Sequence, residues 1–259
     1  MTIDKLDFSI IIPFKFGGKF AVSCFASIIR SFEKTSFSVI VVLDNPLDCE
    51  INLLEVAILK YKDLMEIDLL RSPGKGISDA LNHGIEMSTA EYIVRHDIDD
   101  LCFSWRGARL SQLIQTKPDF IFGSVVTFPL PFYLSVPSNK EDAVSLAMIQ
   151  NPFFHPASAF TRSGMARLGG YHSDFDRLED YDLWERVLES NMKIVLDGKP
   201  HTKYRRHSLQ FTRQRKGAEV DEMRELIKTR AKSISNNHNV VRPKKSLLLG
   251  LWYLLKGSL

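Results

Sequence analysis

The sequence predicts an α/β fold with a mostly parallel central sheet flanked by helices. Three observations predict it. Short β-branched runs recur along the chain, stretches with helical spacing separate them, and acidic or turn residues sit just past the end of each run. A chain of 259 residues, 44% hydrophobic and 25% charged, has enough material for a sizeable buried core.

Phe8-Ser9-Ile10-Ile11-Ile12-Pro13 is a nearly continuous apolar run closed by proline, as expected of a buried parallel strand. Phe20, Cys24, Ile28 and Phe32 then recur at helical spacing, giving a helix from about Gly18 to Phe32. Residues 38–43 form a second strand and Asp44-Asn45-Pro46 its turn; Leu53 to Tyr61 reads as a helix and residues 67–70 as a third strand. After Gly74-Lys75-Gly76 a helix runs from Ile77 to Met87, and Tyr92-Ile93-Val94 is the fourth strand. Further on, the pattern gives a helix over about 104–115, a strand over 120–126 and a loop over the proline-rich residues 129–137. A strand over Phe153 to Phe160, a turn at Gly169-Gly170-Tyr171 and a helix over Asp180 to Ser190 complete the body.

The organisation that follows is a first half, residues 1–100, a second half of the same domain, 101–215, and a basic helical extension, 216–259. Residues 199–259 carry 15 Lys/Arg against 4 Asp/Glu, whereas residues 1–198 carry 19 against 27. The basic end suits phosphates or anionic lipid, and the acidic body argues against nucleic acid. Cys24, Cys49 and Cys102 are scattered and odd in number, so neither a disulfide framework nor a zinc site is expected, which fits a reducing cytoplasm. No apolar run is long enough to span a bilayer. The segment 246–255, rich in Leu with Trp252 and Tyr253 and preceded by Arg242, Lys244 and Lys245, suits an interfacial segment on an anionic leaflet. It equally suits a helix buried against the body or a partner.

Arg95-His96-Asp97-Ile98-Asp99-Asp100 arrives at the carboxyl end of the fourth strand, where open parallel sheets bind ligands. Crowded carboxylates stay ionised only beside positive charge, and a hard cation such as Mg²⁺ or Mn²⁺, holding a phosphorylated ligand, meets that need. A solvated turn is the plainer reading of the same residues. Glu179-Asp180 opens the helix whose face is Leu183, Trp184, Val187 and Leu188, so the helix fixes both carboxylates; one so fixed can serve as a general base, and it can also simply cap the helix. His155 reads as a core or site-wall residue. His207 could complete a metal site, and Arg205, Arg206, Arg213 and Arg215 could clamp a diphosphate.

Taken together, Ser9 to Pro13, Leu43 to Pro46, Gly76 to Gly84, Arg95 to Asp100, His155-Pro156, Gly169 to Tyr171, Glu179 to Trp184 and Tyr204-Arg205 resemble, in order and spacing, family-two glycosyltransferases of the GT-A (Rossmann-like) fold, the bacterial surface-polysaccharide type. The resemblance implies a nucleotide-sugar donor, most simply a UDP-sugar, and a glycan or lipid-linked acceptor; the basic, apolar tail adds the expectation of a cytoplasmic protein peripheral on the inner face of the cytoplasmic membrane. It implies that Pro13 and Phe14 line the base pocket through their backbone, that Asp44 bonds the base and that Asn82 sits near the nucleotide. Asp97 would face ribose or metal, and Asp99 would ligate Mn²⁺ or Mg²⁺. Asp180 matches the catalytic base of an inverting single displacement, with Glu179 beside it. Pro13-Phe14-Lys15-Phe16 departs from the common first-strand motif, and Ala157 stands where a serine is usual. A catalytically silent nucleotide- or glycan-binding subunit is the alternative; a nucleotidyltransferase is a poor match, since Phe16-Gly17-Gly18-Lys19 is not a phosphate loop.

Overall fold

The computed structural model describes residues 6–175, 177–207 and 218–237. Arg213, Arg215 and the apolar segment 246–255 lie outside the described residues.

The first half is a parallel α/β unit. β1 (Phe8–Phe14), β2 (Phe37–Leu43), β3 (Glu66–Arg71) and β4 (Tyr92–Arg95) lie in the order β3-β2-β1-β4, all parallel. Their connections are α1 (Ala21–Phe32), α2 (Asp48–Tyr61) and α3 (Ile77–Met87). β1 is buried on both faces, which explains its unbroken apolar run. α3 lies close against the sheet because Gly84 has no side chain: a Cβ there would stand 2.9 Å from Ile11 Cγ2.

The second half is mixed. β5 (Leu101–Cys102), α4 (Arg106–Leu113), β6 (Phe120–Phe128), β7 (Tyr133–Leu134) and α5 (Lys140–Ala147) come first. β8 (Ser158–Thr161), α6 (Arg162–Leu168), α7 (Glu179–Glu189), β9 (Ile194–Arg205) and α8 (Ala218–Asn237) follow. β8 joins the two halves by pairing antiparallel with both β4 and β6, and β6 runs parallel to β9, which carries β5 at the edge. Two apolar clusters fill the two sides of the sheet, one around Phe25, Ile28 and Phe32, the other around Phe120, Phe122 and Trp184.

Three expectations need correction. α2 begins at Asp48, five residues before its apolar pattern starts, because Asp48 and Glu50 favour a helix's first turn. The stretch from Phe153 is not one strand: a 3-10 turn at His155–Ala157, with proline in its first turn, leaves only Ser158–Thr161 extended. The proline-rich loop contains β7, which pairs Tyr133 and Leu134 with Val126 and Val125.

Candidate active site

β1, β2 and β4 end side by side, so the residues that follow them share one rim of the sheet. Pro13 is half-buried there, and Phe14 sends its ring into the core while its carbonyl accepts the Asp44 N–H at 2.8 Å. Asp44 is buried; its carboxylate accepts the Gly76 N–H at 3.0 Å and lies 3.3 Å from Lys15 Nζ. Asn82 is committed elsewhere. Its amide donates to Tyr171 O at 2.8 Å and accepts from Tyr171 N at 2.9 Å, which fixes the Gly170-Tyr171 turn beside α3.

Past β4 the acidic cluster is real: Asp97, Asp99 and Asp100 can bring one oxygen each within 4.8 Å of one another. Burial and the neighbouring Asp97 raise the Asp99 carboxyl above its ordinary range, against a hydrogen bond from His207 that lowers it. Burial, then Asp99 and Asp97, push Asp100 well up. Like charges this close resist ionising together. Asp100 Oδ1 accepts the Arg205 N–H at 2.7 Å, but its buried Oδ2 has no hydrogen-bond partner among the described residues. Three hard oxygen donors with one such orphaned atom fit a divalent cation.

The positive side of this knot was not legible as a role in the sequence. Arg95, 1% exposed, donates to Asp97 Oδ1 at 2.7 Å and to the carbonyl of His96. Arg106, equally buried, donates to Arg95 O at 2.9 Å and to Thr202 Oγ1 at 3.1 Å. Between them His96 is held well below its ordinary range by burial, then by Arg106 and Arg95, so its ring is neutral.

β9 closes the cluster from the other side. His207 Nε2 stands 2.7 Å from Asp99 Oδ2, and Arg205 Nε donates to Asp99 O at 2.6 Å. The Arg205 guanidinium is gripped between the rings of Phe20 and Phe128, each centroid at 4.4 Å. Both residues therefore meet Asp99, although they lie over 100 positions further along the chain.

Glu179 and Asp180 open α7, and both are buried. Asp180 Oδ1 accepts the N–H of Tyr181 at 2.9 Å, and Oδ2 accepts the Asn151 side chain at 2.8 Å. The carboxylate is thus fixed, although no side chain caps α7 at Leu178. Asn151 had no signal beyond being a polar residue before proline. Glu179 Oε1 lies 3.9 Å from His155 Nδ1, and His155 Nε2 lies 2.8 Å from the Tyr171 hydroxyl. Burial works to lower the Arg95 guanidinium, but Asp97 beside it, and Glu179 to a lesser degree, raise it above its ordinary value.

Residues 9–168 match the model of Glycosyl transferase family 2, a span that holds Pro13, Phe14, Asp44, Asn82 and the whole acidic cluster. The chain belongs to that family. Glu179 and Asp180 lie beyond the matched span. Among its relatives, an uncharacterized glycosyltransferase of Haemophilus influenzae is 23% identical over 185 residues, covering 68% of this chain and 67% of that protein. An Escherichia coli UDP-Gal:alpha-D-GlcNAc-diphosphoundecaprenol beta-1,3-galactosyltransferase is 26% identical over 157 residues, 58% of this chain and 56% of that one. Two solved structures share the GT-A fold. S. aureus TarS 1-349 in complex with UDP-GlcNAc has TM-score 0.66 at 14% identity, over 88% of this glycosyltransferase and 70% of that 1-349 chain. Mannosyltransferase PcManGT from Pyrobaculum calidifontis, in complex with GDP-Man and Mn2+, has TM-score 0.59 at 16% identity, over 98% and 81%.

Proposed function

We propose that this glycosyltransferase moves a sugar, with inversion, from a UDP-sugar to a hydroxyl of a cell-envelope glycan carried on lipid. The observation that carries the reading is the pairing of a cation-ready carboxylate knot at Asp97, Asp99 and Asp100 with a second, fixed carboxylate at Asp180. UDP-GlcNAc in the TarS complex and the UDP-Gal and diphosphoundecaprenol of the E. coli relative support the choice of donor and acceptor class.

Asp97, Asp99 and Asp100 would hold Mn²⁺ or Mg²⁺, with His207 bracing Asp99. When bound, a divalent cation supplies the positive charge that a departing nucleoside diphosphate needs. Arg205, kept rigid by Phe20 and Phe128, adds a guanidinium on the same side. Pro13 and the Phe14 backbone border the base, and Asp44 reads it. Asn82 acts at one remove, by shaping the Gly170-Tyr171 turn.

At the acceptor end, Asp180 takes the proton from the attacking hydroxyl as its oxygen bonds to the sugar's anomeric carbon. The bond from that carbon to the diphosphate breaks on the opposite face, and the electron pair leaves with UDP. Asn151 and the Tyr181 N–H aim the carboxylate, so its position costs no reorganisation during the reaction. Glu179, buried against His155, is a positioning residue. The test is UDP release across a panel of UDP-sugars and glycan acceptors with Mn²⁺: Asp180→Asn lowers kcat by about a thousand-fold with donor binding kept. Full turnover in that variant overturns the base assignment.

A further inference from the structure

The second half of the sheet has one covered face and one open face. Leu134, Val125, Thr202 and Cys102 line up across β7, β6, β9 and β5, and the last three are buried. The alternate row is Tyr133, Val126, Lys203 and Leu101, in the same strand order and in direct register. Residues directly opposed across a sheet share a face, so these four lie together on the other side. Tyr133 is 55% exposed, Lys203 is exposed, and Val126 and Leu101 are half-buried.

The apolar surface grows at both ends of that row. Residues 129–133, Pro-Leu-Pro-Phe-Tyr, are all exposed at the β6–β7 turn, with Leu130 at 65% and Phe132 at 39%. The Tyr133 hydroxyl donates to the carbonyl of Gly198, which ties the turn to β9. At the β5 end Phe103 stacks on Trp105 with centroids 4.5 Å apart. Lys203 lies over the first ring at 5.2 Å and Lys199 over the second at 5.0 Å. Two residues beyond Val126 and Lys203, the opposed pair Phe128 and Arg205 continues the same face to Asp99.

We infer that this open face and the tip at residues 129–133 form a docking surface for an anionic lipid bilayer. Leu130 and Phe132 enter the headgroup boundary, the aromatic rings lie at the interface, and Lys199 and Lys203 meet acidic headgroups. The charge decides between occupants: short of Asp99 at its edge, the residues named on this face carry Lys199, Lys203 and Arg205 and no carboxylate, the complement of an anionic leaflet and a poor match for a second copy of itself. The face runs up to the acidic cluster, so docking would bring the site to the height of a lipid-linked acceptor. That last point rests on the proposed acceptor, whereas the docking itself does not.

The test is sedimentation of the full chain with vesicles of phosphatidylcholine, with and without phosphatidylglycerol. The doubles Leu130→Ser/Phe132→Ser and Lys199→Gln/Lys203→Gln are run alongside the native chain, and a UDP thermal shift on each shows that the fold and donor site are intact. The native chain binds the phosphatidylglycerol vesicles, and each double lowers that binding by roughly ten-fold. Phe132→Trp, read as the difference from a Trp105→Phe/Trp252→Phe background in which only the buried Trp184 remains, gives the tip its own fluorophore, and brominated acyl chains quench it. Binding by both doubles equal to that of the native chain, no binding by the native chain, or an unquenched tip on a sedimented vesicle overturns the inference. So does a native dimer that the Leu130→Ser/Phe132→Ser double dissolves with vesicle binding unchanged. Loss of UDP binding by the native chain would instead strike the proposed transfer reaction and leave the docking result standing.

Discussion

At the scale of single residues, the site depends on buried charge set in balance. Arg95 is ion-paired with Asp97, one of three crowded carboxylates, and removing one partner of a buried pair leaves the other uncompensated. Arg95→Met is expected to lower stability by about 3 kcal/mol in metal-free urea melts, with Mn²⁺ restoring part of the loss. The turn that Asn82 holds makes a second demand. Gly170 has φ +75°, and a Cβ there would stand 2.6 Å from Asn82 Oδ1. Gly170→Ala is therefore expected to cost about 2 kcal/mol by chemical denaturation, through both strain and clash. The sequence showed Asp97, Asp99, His207 and Arg205 because polar residues at a strand end or in a basic run stand out. It did not show Arg106 as a site residue, since an arginine at the start of an amphipathic helix ordinarily faces water.

Among the elements, α7 carries the proposed base, and α8 is what backs it. Val220, Ile227, Ala231 and Ile234 set one face of α8 into the core. Arg230 then reaches Asp182 Oδ1 at 2.9 Å. Its Nε lies 3.2 Å from Glu185 Oε2, off the line of a hydrogen bond, and Glu185 has none among the described residues. Burial consequently pushes the Glu185 carboxyl up to about 7, more than Arg230 pulls it down. A folded pKa raised in this way gives stability that is fully present below the unfolded value and is lost as pH rises through 7. Glu185→Gln removes that penalty. Its melting curve is expected to gain about 2 kcal/mol over the native protein at about pH 8 and little at about pH 5; an equal gain at both would refute the assignment. Elements with a clean period were legible, α1, α3 and α7 above all. β5 and β7, of two residues each, and the seven-residue α6 were not, because so short a stretch shows no period.

Across the whole molecule, the parallel half ends its strands at one rim and the mixed half folds the end of β9 back to that rim. That is how Arg205 and His207 meet Asp99 from more than 100 positions away. The first half could be read as a row of βαβ units. The antiparallel entry of β8, which brings Tyr92, Ile93 and Val94 opposite Thr161, Phe160 and Ala159, has no local signature, since pairing partners are chosen by tertiary packing. Among the described residues no helix is long and apolar enough to cross a membrane. The division of labour, donor phosphates at Asp97 to Asp100 and acceptor activation at Asp180, is the central claim. Calorimetric titration of UDP into the native chain, Asp99→Asn and Asp180→Asn, each with and without Mn²⁺, tests it most directly. Mn²⁺-dependent UDP binding is predicted in the native chain and in Asp180→Asn and is lost in Asp99→Asn; binding that ignores Mn²⁺, or survives unchanged in Asp99→Asn, would contradict it.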